Sequence, residues 1–227
     1  MLMIEIDNFL NENDIKILID YYDNTFKRRL SRYSFWDERV LQCHSITKPK
    51  VRKLIASIQY KVIVKCCKFF DEEYVYPDHT DIVTWKSGME LKPHVDNMHI
   101  YNPDLKHNTP HRDYSSIIYL NDNYEGGNTI FPNQNYKTTP KAGKLIVFPS
   151  GSSHPHGVTE VTSGVRYTLA MWFTKDLNHI SFTDHIDKSS LFIIESLKDL
   201  YLLNERLLTK LSKTFILKKK KLNDCRY

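Results

Sequence analysis

The spacing of apolar residues changes period twice along this chain. Residues 2–10 alternate, with Leu2, Ile4 and Ile6 on one face, which predicts a first strand. From residue 11 the interval lengthens. Ile15, Leu18, Ile19 and Tyr22 recur at helical spacing, and Asn11 or Asn13 can cap a helix reaching about residue 26. FWDERVLQC (35–43) reads as loop and strand. Pro49 suits a first helical turn and opens a second helix through Val51, Leu54, Ile55, Ile58 and Val62 to Phe69.

Between residues 80 and 175 the period shortens. DIVTW, YSSIIYLN, NTIF, KLIVFPS and VRYTLAMWF are short β-branched and aromatic runs. KSGM, NDNYEGG, TTPKAG, PSGSS and VTSG separate them with turn residues, and Gly126–Gly127 would close a hairpin between the YLND and NTIF strands. Such a series predicts a sandwich or barrel. Helices first and a block of strands after them make the fold class α+β, with segregated helices. After Thr174 the pattern is helical again: Phe192, Ile193, Leu197, Leu200, Leu203, Leu207 and Leu211 form a stripe within 189–217, followed by KKKK. That C-terminal amphipathic helix suits packing on the sheet or a homodimer contact. The basic tail reads as a solvated end or an arm for an acidic partner or membrane surface.

Composition narrows the class. The chain has 227 residues, 41% hydrophobic and 26% charged, which excludes a disordered polymer and suits one domain with an extension. No apolar run approaches the roughly 20 residues of a membrane span. Glu5 and Asp7 stand where a secretory signal would be basic, so a cytoplasmic protein folded from residue 1 is expected. Cys43, Cys66, Cys67 and Cys225 form no CxxC and read as reduced thiols. The net charge is +5, yet Lys198–Tyr227 alone carries nine Lys/Arg against three Asp/Glu. The body is therefore near neutral, which argues against a nucleic-acid partner.

Candidate chemistry begins in LKPHVDNMHIYN (91–102). If this stretch is a strand, His94 and Asp96 share a face, and a buried carboxylate there is costly without a partner. A metal ion answers both points. A further histidine completes the 2-His-1-carboxylate set that suits Fe(II) and leaves coordination positions open. His154 and His156, after the KLIVFPS strand, are the candidates. Ten residues beyond His156, Arg166 opens a strand with Thr168, Ala170 and Trp172 on its face. An inward arginine matches a carboxylate bidentately, and with iron it suggests 2-oxoglutarate as cosubstrate.

HVDN, RDYSSIIYLNDNYEGGNTIFP, KAGKLIVFPSG and HPHGVTEVTSGVRYTLAMWFT together resemble the Fe(II)/2-oxoglutarate dioxygenases of the prolyl hydroxylase type. The run RDYS…YLND…YEGG and the ending PHGV…R…WFT look most like the leprecan, or prolyl 3-hydroxylase, branch. The resemblance is close over about 80–175, loose over IEIDNFLNENDIKILI, and absent from the tail. It implies a double-stranded β-helix (jelly roll) core with N-terminal buttressing helices. The chain would divide into a dioxygenase domain, 1–180 (helical region 1–79, jelly roll 80–175), and a helical extension, 181–227. Also implied are His94, Asp96 and His156 as iron ligands, Arg166 on the distal carboxylate of 2-oxoglutarate, and Tyr119 beside it. Trp85 falls where many relatives carry a tyrosine near the cosubstrate. Fe(II), 2-oxoglutarate and O₂ follow as cofactors, ascorbate as a further candidate, with no catalytic group beyond the iron centre.

The resemblance implies hydroxylation of prolyl residues in a protein or peptide. Lysyl or free amino acid hydroxylation is the alternative within the superfamily, and a non-catalytic peptide-binding jelly roll the alternative outside it. The polar loop 97–111 is the candidate for substrate recognition. Asn97, His99, Arg112 and Trp172 are the candidate substrate residues.

Overall fold

The computed structural model describes residues 3–25, 36, 38–102 and 104–179. The expected C-terminal helix, the basic tail and the dimer contact assigned to them lie outside the described residues.

Two helices form where the sequence predicts them. In α1 (Glu12–Asp23) the Asn11 side chain caps the first turn, accepting from the Asp14 N–H at 2.9 Å. Helix α2 (Pro49–Phe70) starts at the proline and stops at Asp71, which takes the left-handed φ of 56° and ends the helical run. Ile15, Leu18 and Tyr22 of α1 and Val51, Ile55, Ile58 and Val62 of α2 are buried in one cluster. Each buried aliphatic side chain contributes roughly 1.5–3 kcal/mol.

That cluster is completed by one face of a six-stranded antiparallel sheet. Its order is β1 (Ile4–Ile6), β9 (Leu145–Pro149), β5 (Tyr114–Tyr119), β12 (Val165–Thr174), β3 (Tyr76–Lys86), β2 (Val40–Gln42). Strand alternation divides the side chains. Ile82, Ile118, Leu145, Val147, Leu169, Met171 and Phe173 meet the helices. Val83, Trp85, Tyr119, Ile146 and Phe148 belong to the opposite face. There they pack with residues of a four-stranded sheet, β4 (Leu91–His94), β10 (His156–Val158), β7 (Thr129–Phe131), β8 (Tyr136–Lys137). Two sheets enclosing a core, with helices covering the outer face of the larger, make the expected jelly roll with its buttress.

Two local expectations fail. Gly126–Gly127 does not close a hairpin: β5 and β7 belong to different sheets, and β6 (Glu125–Gly126) pairs with β11 (Val161–Ser163). Glycine is needed here for close approach, since a Cβ on Gly126 would lie 2.0 Å from the Glu160 carbonyl oxygen, at φ +71°. Nor do His94 and Asp96 share a strand face. His94 is the last residue of β4, and Asp96 lies in the bend beyond it. Val95, between them, is buried, so the chain turns rather than alternates.

Candidate metal centre and cosubstrate site

His94 and His156 are cross-strand partners of β4 and β10, which brings their rings to 4.5 Å between centroids. Asp96 reaches the same point from the bend. Its Oδ1 lies 3.7 Å from His94 Nε2, and its Oδ2 lies 3.4 Å from His156 Nε2. One ligand atom from each of the three lies within 4.8 Å of the others, and this is the cluster of that kind among the described residues. A metal bonded at about 2.1 Å to two adjacent ligands holds them about 3 Å apart, so a slight contraction closes the set.

The surroundings prepare each ligand. His94 Nδ1–H faces the Lys92 carbonyl and His156 Nδ1–H the His154 carbonyl, each at 3.2 Å, which leaves both Nε2 lone pairs toward the centre. Burial pushes the His156 imidazole down to about 4, with Asp96 only partly opposing it, so the ring is neutral at neutral pH as a ligand must be. Burial works against ionised Asp96, but His156, His94, the Ser115 hydroxyl and Arg112 outweigh it and hold its pKa below the usual carboxylate range. Ser115 Oγ donates to Asp96 Oδ2 at 2.6 Å and lies 2.7 Å from Ser150 Oγ, while the Asp96 N–H donates to the Ser150 carbonyl at 3.0 Å. His154, the other candidate, is buried with its Nδ1 2.9 Å from Ser153 Oγ and stands outside the cluster.

Arg166 is 1% exposed, opening β12 opposite Trp85 of β3. Its guanidinium carbon lies 5.1 Å from the Tyr119 ring centre and 5.6 Å from that of Trp85. One terminal nitrogen donates to Thr129 Oγ1 at 3.2 Å, and Nε has no hydrogen-bond partner among the described residues. A buried guanidinium with an unused N–H fits an incoming carboxylate, as 2-oxoglutarate would supply. Tyr119 stands beside it, but its hydroxyl is occupied by Thr129 and Thr138, each Oγ1 at 2.7 Å.

The four substrate candidates divide. Arg112 Nε donates to Asp78 Oδ2 at 2.8 Å with its guanidinium 4.3 Å above the Trp172 ring, and Asn97 Nδ2 donates to the Arg112 carbonyl at 3.0 Å. Trp172 is the cross-strand partner of Ser115, which holds Asp96. These three therefore adjoin the metal cluster. His99 instead packs edge-on against His107, 4.9 Å between centroids, within the loop. That loop is tied to the centre by Thr109 Oγ1, which donates to the Asp96 carbonyl at 2.8 Å. Sequence reasoning missed Ser115, Ser150 and Thr129. The hydroxyl pair of SS in a strand otherwise apolar was the signal available for the first.

Residues 79–174 match the family described as the 2OG-Fe(II) oxygenase superfamily, and this stretch is a 2OG-Fe(II) oxygenase domain. Domains of this family use Fe(II), 2-oxoglutarate and O₂, and the His94–Asp96–His156 triad and Arg166 suit the first two. Among relatives, prolyl 3-hydroxylase 2 of Homo sapiens is 49% identical over 70 residues, which is 29% of this chain and 10% of that protein. Prolyl 3-hydroxylase 1 of Rattus norvegicus is 45% identical over 73 residues, 30% of this chain and 10% of that protein. The chain thus spans about a tenth of the length of these curated relatives. Among solved structures, the viral collagen prolyl hydroxylase of Paramecium Bursaria Chlorella virus-1, as its 2OG complex, has a TM-score of 0.58 at 20% identity, covering 77% of this chain and 96% of that one. A Trichoplax adhaerens prolyl hydroxylase with a hypoxia inducible factor peptide has a TM-score of 0.59 at 16% identity, covering 80% and 87%. These structural likenesses establish the jelly-roll fold. No helix among the described residues is long and apolar enough to cross a membrane.

Proposed function

We propose that the chain is an Fe(II)- and 2-oxoglutarate-dependent hydroxylase of prolyl residues in a protein or peptide. The observation that carries this reading is a two-histidine, one-carboxylate cluster on β4 and β10 beside a buried arginine that is bonded to Thr129 of the adjoining β7 and has an unused N–H. When bound, iron with 2-oxoglutarate and O₂ supplies hydroxylation of a C–H bond, coupled to decarboxylation of the 2-oxo acid to succinate and CO₂. His94, Asp96 and His156 would hold the metal through two imidazoles and one carboxylate. Arg166 receives the distal carboxylate, with Trp85 and Tyr119 walling the pocket and excluding water. Arg112 and Trp172, stacked beside Asp96, with Asn97 holding the Arg112 backbone, orient the peptide, and the loop bearing His99 borders it.

The names of the relatives support prolyl residues as the target and a peptide as the form in which they arrive. The domain would take in residues 1–180, with 181–227 as an appended segment. A cytoplasmic setting belongs to the same reading, supported by the free thiols Cys43, Cys66 and Cys67. The test is incubation with Fe(II), 2-oxoglutarate, ascorbate, air and a library of proline-containing peptides, read by mass spectrometry and succinate release. A gain of one oxygen on proline, absent in His94→Ala, supports the proposal. Oxygen gained on lysine or on a free amino acid would replace it with the sister reading. A peptide that binds equally to wild type and His94→Ala without turnover would make the chain a binding module.

A further inference from the structure

Helix α2 carries a charge pattern that neither the sheet nor the metal cluster uses. Lys50, Lys53, Lys61, Lys65 and Lys68 are all exposed, and they stand 3, 8, 4 and 3 residues apart. At 3.6 residues per turn they fall within about one third of the helix circumference, a stripe roughly 27 Å long. Pro49–Phe70 contains no Asp or Glu. None of the five ammonium groups has an ion pair among the described residues, whereas Lys16, Lys141, Lys144 and Lys175 all have carboxylate partners. Like charges three and four residues apart destabilise a helix, so the stripe costs stability until an anion meets it.

The rest of the chain does not supply that anion. Residues 26–35 carry four Lys/Arg and no Asp/Glu, and 181–227 carry ten Lys/Arg against six Asp/Glu. The surroundings also limit the width of a partner. Helix α1 packs in the same cluster and exposes Glu12, Asp20 and Asp23, and Asp71–Glu73 follow the end of α2. These carboxylates repel a broad anionic plane such as a lipid surface and leave a basic track one helix wide. No aromatic side chain lies on that track between Lys50 and Lys68, so it lacks the stacking platforms on which a single nucleic-acid strand is held. A narrow anion of about this length is an acidic stretch of polypeptide.

We propose that the outer stripe of α2 docks an Asp/Glu-rich segment of a partner protein. Val51, Ile55, Ile58 and Val62 of α2 pack on the larger sheet, whereas His94 and His156 pair on the smaller one. A partner held on α2 therefore leaves the metal cluster uncovered, and this inference stands independently of the function proposed above.

The test is fluorescence anisotropy on the full chain at low ionic strength. The probe is a labelled helical peptide of about eighteen residues, the length of the stripe, with Glu at i, i+4 and i+7 spacing; its Gln counterpart is the control. Wild type should bind the Glu peptide and not the Gln peptide, and added salt should weaken the binding. Lys53→Gln/Lys61→Gln/Lys65→Gln should bind about tenfold more weakly, the combined effect of three exposed ion pairs. Lys86→Gln/Lys137→Gln/Lys141→Gln removes the same charge from exposed positions elsewhere and should bind as wild type does. Failure of wild type to bind the Glu peptide would overturn the inference. So would an equal loss in the two triple variants, which would reduce the effect to net charge, or no loss in the α2 variant. Tighter binding of phosphatidylserine vesicles or duplex DNA than of the peptide, through the same three lysines, would assign the stripe to lipid or nucleic acid and overturn it as well.

Discussion

Ser115 is the residue whose removal should tell most about how the triad is held. It lies on β5, 3% exposed, and its hydroxyl donates to Asp96 Oδ2 at 2.6 Å while sitting 2.7 Å from Ser150 Oγ. Asp96 stands beyond the end of β4, so no ladder of strand hydrogen bonds fixes its side chain. The backbone N–H to Ser150 and the carbonyl from Thr109 fix its main chain; Ser115 aims the carboxylate. A hydrogen bond to an ionised group contributes about 1.5–3 kcal/mol. Groups that orient a metal ligand typically account for a 10–100-fold change in metal affinity, about 1.4–2.8 kcal/mol. The two figures agree. Ser115→Ala should therefore weaken Fe(II) binding by about ten- to a hundredfold, measured by anaerobic titration, and Ser115→Thr should recover most of it. The thermal midpoint of the metal-free protein should fall far less than the metal-induced stabilisation does. Wild-type metal affinity in well-folded Ser115→Ala would refute the reasoning, since Asp96 would then be held by its backbone alone.

Arg112→Ala should raise the KM for peptide more than that for 2-oxoglutarate, because Arg112 packs on Trp172 and pairs with Asp78 rather than with Arg166; steady-state kinetics with each substrate varied separates the two. Gly126→Ala should destabilise the fold more than Gly88→Ala, as measured by denaturant unfolding. Both glycines have positive φ, but a Cβ at 88 meets nothing within 4 Å, whereas at 126 it meets backbone at 2.0 Å, so the first costs about 1–2 kcal/mol and the second more. Glu72, against whose ionisation burial works, is nonetheless held below its usual value of 4.5 by the Tyr114 hydroxyl and Lys175. Its stabilising contribution is then present above pH 4.5 and lost as pH falls through the lowered value, so melting temperatures recorded below about pH 4.5 should decline less steeply in Glu72→Gln than in wild type.

Much of this architecture was legible in the residues. Period, proline and cap placed α1 and α2, because an amphipathic helix packing on a sheet must show its stripe in sequence. The residues His94, Asp96 and His156 fall into one cluster, because β4 and β10 pair with His94 opposite His156. What stayed hidden depends on tertiary partners. Local pattern suggested strand alternation for His94 and Asp96, whereas burial of Val95 and the ties from Ser150 and Thr109 turn the chain there. Gly126–Gly127 looked like a hairpin because a crossing between sheets uses the same residues, and only the pairing of β6 with β11 distinguishes them. That the Tyr119 hydroxyl is spent on Thr129 and Thr138 is decided by contacts from β7 and from residue 138.

The central claim is that one cleft binds Fe(II) through His94, Asp96 and His156 and 2-oxoglutarate through Arg166. Its most direct measurement is an anaerobic titration of the purified protein with Fe(II) and then 2-oxoglutarate, followed by the visible charge-transfer absorption of the iron chelate. The account predicts a band in wild type, none in His94→Ala, and a band in Arg166→Ala only at much higher 2-oxoglutarate. Folded wild-type protein that gives no band, or a band unaffected by His94→Ala, would contradict it.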